Sequence, residues 1–273
     1  MSDISRLRPT TRFNGLAALY ARCRPTYPDT AIDFIIAHCA LGPDALVLDV
    51  GSGTGIASRL FASRGIRVVG IEPNVDMRAQ AEHELVPAPG LPPSYRDGRA
   101  ETTGLAPGSV NTIVVAQAFH WFDPGPTLAE FHRILKPGGW VALMWNDHDV
   151  ADTVMVAYDE LSLTVPDAAA VDATRSGDAG ALLASYLFTS VERRIFPNAQ
   201  TLDLESFLGR AFSASWAPRE AGAAGRYEAG LSQIFTRFER QGRVTLRYRT
   251  AVYIGQRVQR WASHLWRNGS FLS

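Results

Sequence analysis

The run Asp49-Val50-Gly51-Ser52-Gly53-Thr54-Gly55 sets three glycines at alternate positions behind an acidic residue. Glycine adopts left-handed backbone angles without penalty and has no Cβ to hold a ligand away. A helix starting behind such a turn presents unpaired N–H groups. The turn can therefore hold a nucleotide or an amino-acid carboxylate. Glu72 follows Gly51 by 21 residues, a spacing at which a carboxylate can accept hydrogen bonds from both hydroxyls of a ribose. Each bond to a charged acceptor contributes about 1.5–3 kcal/mol. NAD would be served by the same pair of features. The dinucleotide pattern G-x-G-x-x-G/A wants a small residue where this chain has Ile56, and Ala57 comes one position late, so the turn leans away from NAD. Two more segments carry polar and aromatic groups: Asp97-Gly98-Arg99-Ala100-Glu101 and Ala116-Gln117-Ala118-Phe119-His120-Trp121-Phe122-Asp123.

These residues need elements to position them. Residues 45–50 (ALVLDV) are a short apolar run closed by the glycine turn, which reads as a buried strand. Upstream, helices are predicted at 14–22 and 29–39. Arg24-Pro25-Thr26-Tyr27-Pro28 parts them, because proline cannot continue a helix and restricts the residue before it. Downstream come a helix at 56–63, a strand at 67–71, a helix at 75–85, a loop at 86–93 with four prolines, and a short strand at 94–96. A strand at 109–116, a helix at 126–135 stopped by Pro137-Gly138-Gly139, and a strand at 140–145 follow. This alternation implies βαβ units and a parallel sheet covered on both faces. The four chemistry-bearing segments then all fall at C-terminal strand ends, where open α/β sheets bind ligands.

Past Asn146 the rhythm changes. A helix is predicted at 150–163, a cap segment rich in Ala, Asp and Gly at 166–180, a strand at 186–196, helices at 204–212 and 225–241, and an alternating strand at 244–254. Residues 1–12 read as loose, and 259–273, with Trp261 and Trp266, as a terminal helix or a contact segment.

The chain has 273 residues, 46% hydrophobic and 20% charged, which suits one large α/β domain with an elaborated cap or two small domains. Its formal net charge is zero, so no global attraction to nucleic acid or to an anionic membrane follows. No stretch approaches the ~20 apolar residues of a membrane span. Residues 1–12 hold no apolar run of a secretory leader. Cys23 and Cys39 lack metal-ligand spacing and read as reduced thiols, so a cytoplasmic setting and no metal are expected.

Together the pieces resemble a known family. Tyr20, RPTYP at 24–28, LDVGSGTG at 48–55, EPNVDM at 72–77, GRAE at 98–101, AQAFHWFD at 116–123, RILKPGGW at 133–140 and WNDHD at 145–149 look like the class I S-adenosylmethionine-dependent methyltransferases. Within them the chain is similar to the trans-aconitate methyltransferase-like, type 11 branch. The resemblance runs from about residue 13 to 149 and is weak beyond, limited to a late alternating strand and F-S-A-S-W at 212–216.

The resemblance implies a Rossmann-like α/β fold: seven mostly parallel strands with one antiparallel, helices on both faces, and a cap from N-terminal and C-terminal-half insertions. It divides the chain into a lid of N-terminal helices (1–40), a cofactor-binding core (41–149) and a completion of the sheet with cap insertions (150–273). It implies S-adenosylmethionine as cofactor and S-adenosylhomocysteine as product. Asp49, Gly51, Ser52, Gly53 and Gly55 would form the turn beneath the methionine and ribose. Glu72 would bind the ribose, Pro73 and Met77 would flank the adenine, and Ala100 and Glu101 would meet its edge. Gln117 and Ala118 would face the methionine end. Tyr20 and Arg24 would close over from the N-terminal helices, with the Arg24 fork suited to the methionine carboxylate.

Methyl transfer from a sulfonium needs chiefly alignment, which can contribute about 7–11 kcal/mol. A base is needed only for a protonated nucleophile. His120 is the candidate base; the alternative is that His120 and Trp121 form a packing corner over the cofactor. Trp121, Trp145 and Tyr27 are candidates for lining the acceptor pocket, or else core aromatics. The expected activity is O-, N- or carboxyl-methylation of a small molecule, as in bacterial secondary metabolism, by a monomer or homodimer. The alternative is an enzyme of the same fold that uses the cofactor without losing its methyl, such as a cyclase or a decarboxylase.

Overall fold

The structure is a computed structural model describing residues 14–87, 90–166, 168–169 and 179–259. Seven strands form one sheet: β1 (Leu46–Val50), β2 (Arg67–Ile71), β3 (Ser94–Arg96), β4 (Val110–Ala116), β5 (Leu135–His148), β6 (Phe188–Leu202) and β7 (Val244–Arg257). Their order is β3-β2-β1-β4-β5-β7-β6. β1 to β5 pair in parallel, and β7 runs antiparallel to both β5 and β6. The strand order reverses between β1 and β4, the crevice where open α/β sheets bind ligands.

Helices α1 (Ala17–Cys23), α2 (Asp29–His38), α3 (Ile56–Ala62), α4 (Val75–His83) and α5 (Pro124–Ile134) accompany the first five strands. Successive strand residues point to opposite faces. Leu48, Ile113, Val115 and Leu143 meet Phe131 and Ile134 of α5 on one face. Val47, Val114, Ala142 and Met144 meet Ile32 and Ile35 of α2 and Phe61 of α3 on the other. Burial on both faces explains why β1 and β4 read as continuous apolar runs and not as alternation.

The second half adds α6 (Thr153–Ser162), α7 (Gly180–Leu183), α8 (Leu204–Phe212) and α9 (Ala221–Phe238). Met155, Tyr158, Phe207, Tyr227, Leu231 and Phe235 from these helices pack with Leu246 and Tyr248 of β7 into a third core. Among the described residues no helix is long and apolar enough to cross a membrane.

Several boundaries differ from the sequence reading. β5 begins at Leu135, which pairs with Val110; the register resumes at Trp140 opposite Thr112, so residues 136–139 bulge, with Gly138 at φ +77°. The Pro-Gly-Gly run ends the helix but interrupts rather than precedes the strand. β6 continues to Leu202 through Pro197, which an edge strand tolerates. Tyr186, expected in that strand, is 88% exposed before it. α9 starts at Ala221 because the Glu220 carboxylate accepts from the N–H groups of Gly222 and Ala223. The expected loose residues 1–12, most of the cap segment at 166–180, and all but Gln259 of the tail lie outside the described residues.

The break between α1 and α2 is fastened to the sheet by side-chain amides. The Thr26 carbonyl accepts from Asn146 Nδ2 at 3.1 Å and from Asn198 Nδ2 at 2.8 Å. Gln200 Nε2 donates to the Cys23 carbonyl at 2.9 Å. Asn146 Oδ1 in turn accepts from Thr250 Oγ1 at 2.6 Å and from Asn198 Nδ2 at 3.1 Å. Asn146 is buried, so removing its amide leaves buried polar groups unpaired. Asn146→Ala should destabilise the protein by about 1–3 kcal/mol in urea titrations. Unaltered stability would show that the clamp is slack.

Candidate active site

The glycine turn closes β1. Gly51, Gly53 and Gly55 all take positive φ, at +69°, +54° and +75°. A Cβ on Gly51 would lie 2.6 Å from the Ala118 Cβ, whereas one on Gly53 would meet nothing within 4 Å. The first glycine thus lets two strand ends approach; the second leaves the turn open to a ligand. The N–H groups of Gly51 and Ser52 donate to the Ile71 carbonyl at 2.8 and 3.1 Å, which ties the turn to β2.

Glu72 follows β2 directly and is buried. Its Oε2 accepts from Gly53 N and its Oε1 from Asn74 N, both at 2.8 Å. Burial pushes its pKa above the usual carboxylate range, against those hydrogen bonds. Asn74 caps α4, its Oδ1 accepting from the N–H groups of Asp76 and Met77.

Gln117 follows β4 directly at φ +56°, an uncommon conformation for a non-glycine residue and one that clusters at functional sites. Its N–H donates to the Met144 carbonyl at 2.9 Å, and its buried Oε1 has no donor among the described residues. Arg24 caps α1. Its Nη2 donates to the Ser213 carbonyl at 3.1 Å, its guanidinium carbon lies 4.8 Å from the centre of the Tyr20 ring, and its buried Nε has no acceptor among the described residues.

One groove joins these parts. Gly51, Ser52 and Gly53 line it from β1, Glu72 and Pro73 from β2, Ala100 and Glu101 from beyond β3, and Gln117, Ala118 and Trp121 from beyond β4. Met77 of α4 lines it, and Tyr20, Arg24 and Tyr27 close it from the N-terminal side. Glu101 Oε1 accepts from Asp123 N at 3.0 Å and links the third tip to the fourth.

Four sequence candidates stand elsewhere. Asp49 lies beneath the turn and not on the groove: it is 1% exposed, and its Oδ2 accepts from Ser58 Oγ at 2.6 Å. Gly55 is the N-cap of α3, and a Cβ there would collide with the Tyr95 hydroxyl, so its task is packing behind the turn. Trp145 does not line the groove; it is buried in the core, 5.8 Å from Tyr253 edge to face. His120 is also buried off the groove, in a short 3-10 turn at 119–121, with its ring 4.7 Å from that of Trp121. The contact with Trp121 is the one the packing-corner alternative expects.

Arg210, on α8, lines the groove and did not emerge from the sequence. The signal was present: on an amphipathic helix it falls three residues after Phe207, an arginine on the apolar face.

Fold and groove together define a Rossmann-like cofactor-binding enzyme domain. A family model described as a methyltransferase domain matches residues 48–143. An uncharacterized methyltransferase of Mycobacterium tuberculosis is 36% identical over 145 residues, covering 53% of this chain and 56% of that protein. The chain therefore spans a little over half the length of these curated relatives. The demethylmenaquinone methyltransferase of a Parafrankia strain is 30% identical over 179 residues, covering 60% of this chain and 68% of that protein. Among solved structures, a putative type II methyltransferase from Anaeromyxobacter dehalogenans shares the fold with a TM-score of 0.60 and 24% identity, over 85% of this chain and 97% of the other. The chain belongs to the class I S-adenosylmethionine-dependent methyltransferases.

Asp49 carries a checkable consequence. Burial raises its pKa from 3.8 to about 6, with the Ser58 hydrogen bond opposing. Because the folded value lies above the unfolded one, the neutral acid favours the fold below pH 4, and this contribution is lost as pH rises through 6. Asp49→Asn keeps an acceptor for Ser58 and removes the loss. The variant should match the parent near pH 4 and exceed it at pH 8 by up to about 3 kcal/mol in urea titrations, at about 1.36 kcal/mol per pH unit. A gap that does not grow with pH would refute the assignment.

Proposed function

We propose that this chain transfers the methyl group of S-adenosylmethionine to a small-molecule acceptor. One observation carries the reading: a buried acceptor without a donor, Gln117 Oε1, and a buried donor without an acceptor, Arg24 Nε, border the same groove as Glu72. Buried polar atoms are normally paired. An α-amino acid end brings an ammonium for the first and a carboxylate for the second, and a ribose brings hydroxyls for Glu72. The open space at Gly53 admits the ligand backbone between them.

The roles follow. Glu72 accepts the ribose hydroxyls with lone pairs that Gly53 and Asn74 leave over, and those two N–H groups keep its carboxylate oriented. Met77 and Pro73 offer apolar surface to the adenine, with Ala100 and Glu101 at its edge. Gln117 receives the ammonium and Arg24 the carboxylate. When bound, S-adenosylmethionine supplies a methyl group already activated by the positive sulfur. The protein's part is then alignment and exclusion of water. Tyr20, Tyr27 and Trp121 wall the groove, and we read α1, α2 and the helices of the second half as its cap.

Gly53→Val tests the groove. Valine at positive φ costs about 1–2 kcal/mol, within the stability of an ordinary domain, so the circular dichroism spectrum should be retained. Calorimetry with S-adenosylhomocysteine should show binding lost. Unchanged affinity would remove the groove from consideration as the cofactor site. With an acceptor at hand, turnover should release S-adenosylhomocysteine; consumption of the cofactor with no such release would identify a cyclase or decarboxylase instead.

A further inference from the structure

Arg24 and Arg210 border the groove, and both also border a second hollow of about 500 Å³. That is room for a small molecule. Neither arginine makes an ion pair among the described residues. Arg210 is 5% exposed and donates from Nε to Tyr248 Oη at 3.3 Å. Burial works against its charge, but the Tyr248 and Tyr158 phenols more than offset this and hold the guanidinium above its ordinary range. Burial, and after it the charge of Arg210, push the Arg24 guanidinium below its ordinary range. A buried charge is costly unless it is paired. Two such charges on a wall shared by two cavities are therefore suited to anions that arrive with ligands. With the methionine carboxylate on Arg24, one positive charge remains at Arg210. A planar guanidinium fork matches one carboxylate.

The far side of the hollow has the opposite character. Asp147, His148 and Asp159 border it without bordering the groove. Asp159 Oδ1 lies 2.6 Å from His148 Nδ1. With Asp159 engaged by His148, Asp147 opposes a second carboxylate and favours a hydroxyl or amino group. Tyr158 and Trp216 add aromatic surface to its lining.

We propose that this hollow is the acceptor subsite and that Arg210 holds the acceptor's single carboxylate, which makes the acceptor a small monocarboxylic acid with a hydrogen-bond donor away from its carboxylate. The inference rests on the cofactor reading of the groove.

Thermal denaturation of the whole chain with S-adenosylhomocysteine present tests it. The probes are 4-hydroxybenzoate and serine, their amides 4-hydroxybenzamide and serinamide, and succinate. The two acids should raise the melting temperature; the amides and succinate should not. In Arg210→Met the apparent affinity for the acids should fall about 10- to 100-fold, as for losing a charge-assisted pair. The response to S-adenosylhomocysteine should persist, and the ligand-free melting temperature should stay level or rise, because no ion pair is broken and the desolvation cost of a buried charge is removed. An arginine that merely supports the fold would lower it. Should Arg210→Met not fold, Arg210→Lys keeps the charge, loses the fork, and should still weaken the acids. Acids without effect, amides or succinate as effective as the acids, or a variant that responds like the parent would each overturn the proposal. Failure of S-adenosylhomocysteine itself to raise the melting temperature would instead count against the groove reading.

Discussion

Glu72 is the pin on which the site turns. Its two oxygens take the N–H groups of Gly53 and Asn74, so one carboxylate fixes the glycine turn of β1 and the entry to α4 together. The cost is burial of a carboxylate, visible in its raised pKa. Hydrogen bonds to a charged acceptor offset that cost. The arrangement leaves the groove with an oriented acceptor that needs no reorganisation when a ligand arrives.

A second constraint acts from the other side. Arg24 follows a seven-residue helix that could not hold a position alone. The amides of Asn146, Asn198 and Gln200, from two strands of the sheet's far half, grip the backbone at Cys23 and Thr26 on either side of it. The antiparallel strand β7 thus does more than complete the sheet: it brings Thr250 to Asn146 and holds β6 in register. The acidic half of the groove is built by β1 and β2, and the basic half is fastened by β5 to β7. Among the described residues no ion pair joins Glu72 to Arg24 or Arg210.

The second half of the chain buries Arg210 against a core of its own. Arg210 is held among Tyr158, Tyr248 and the helices α6, α8 and α9, with its guanidinium carbon 5.8 Å and 6.0 Å from the two rings. Aromatic faces ease the burial of a cation without cancelling its charge. A carboxylate in the same place would have cancelled it.

Much was legible in the residues themselves. The glycine turn, Glu72 and the apolar runs of β1, β2 and β4 follow from local rules: positive φ needs glycine, a doubly covered strand is apolar throughout, and proline parts α1 from α2. The length of β5 and β6 was not legible, because strands paired on a neighbour continue past the apolar signal, as at residues 136–139 and Pro197. Asp49 and Gly55 sat in the motif but behind the groove; Trp145 sat at a strand end but in the core, and His120 is buried beside Trp121. Spacing gives the strand end; only packing decides which way a side chain faces there. Arg210 stands 186 residues after Arg24 and became its neighbour through the pairing of β5, β6 and β7. The sequence by itself thus determined the local turns and the class of ligand; the tertiary structure alone decided which charges share a wall, because burial and neighbourhood are properties of the folded chain.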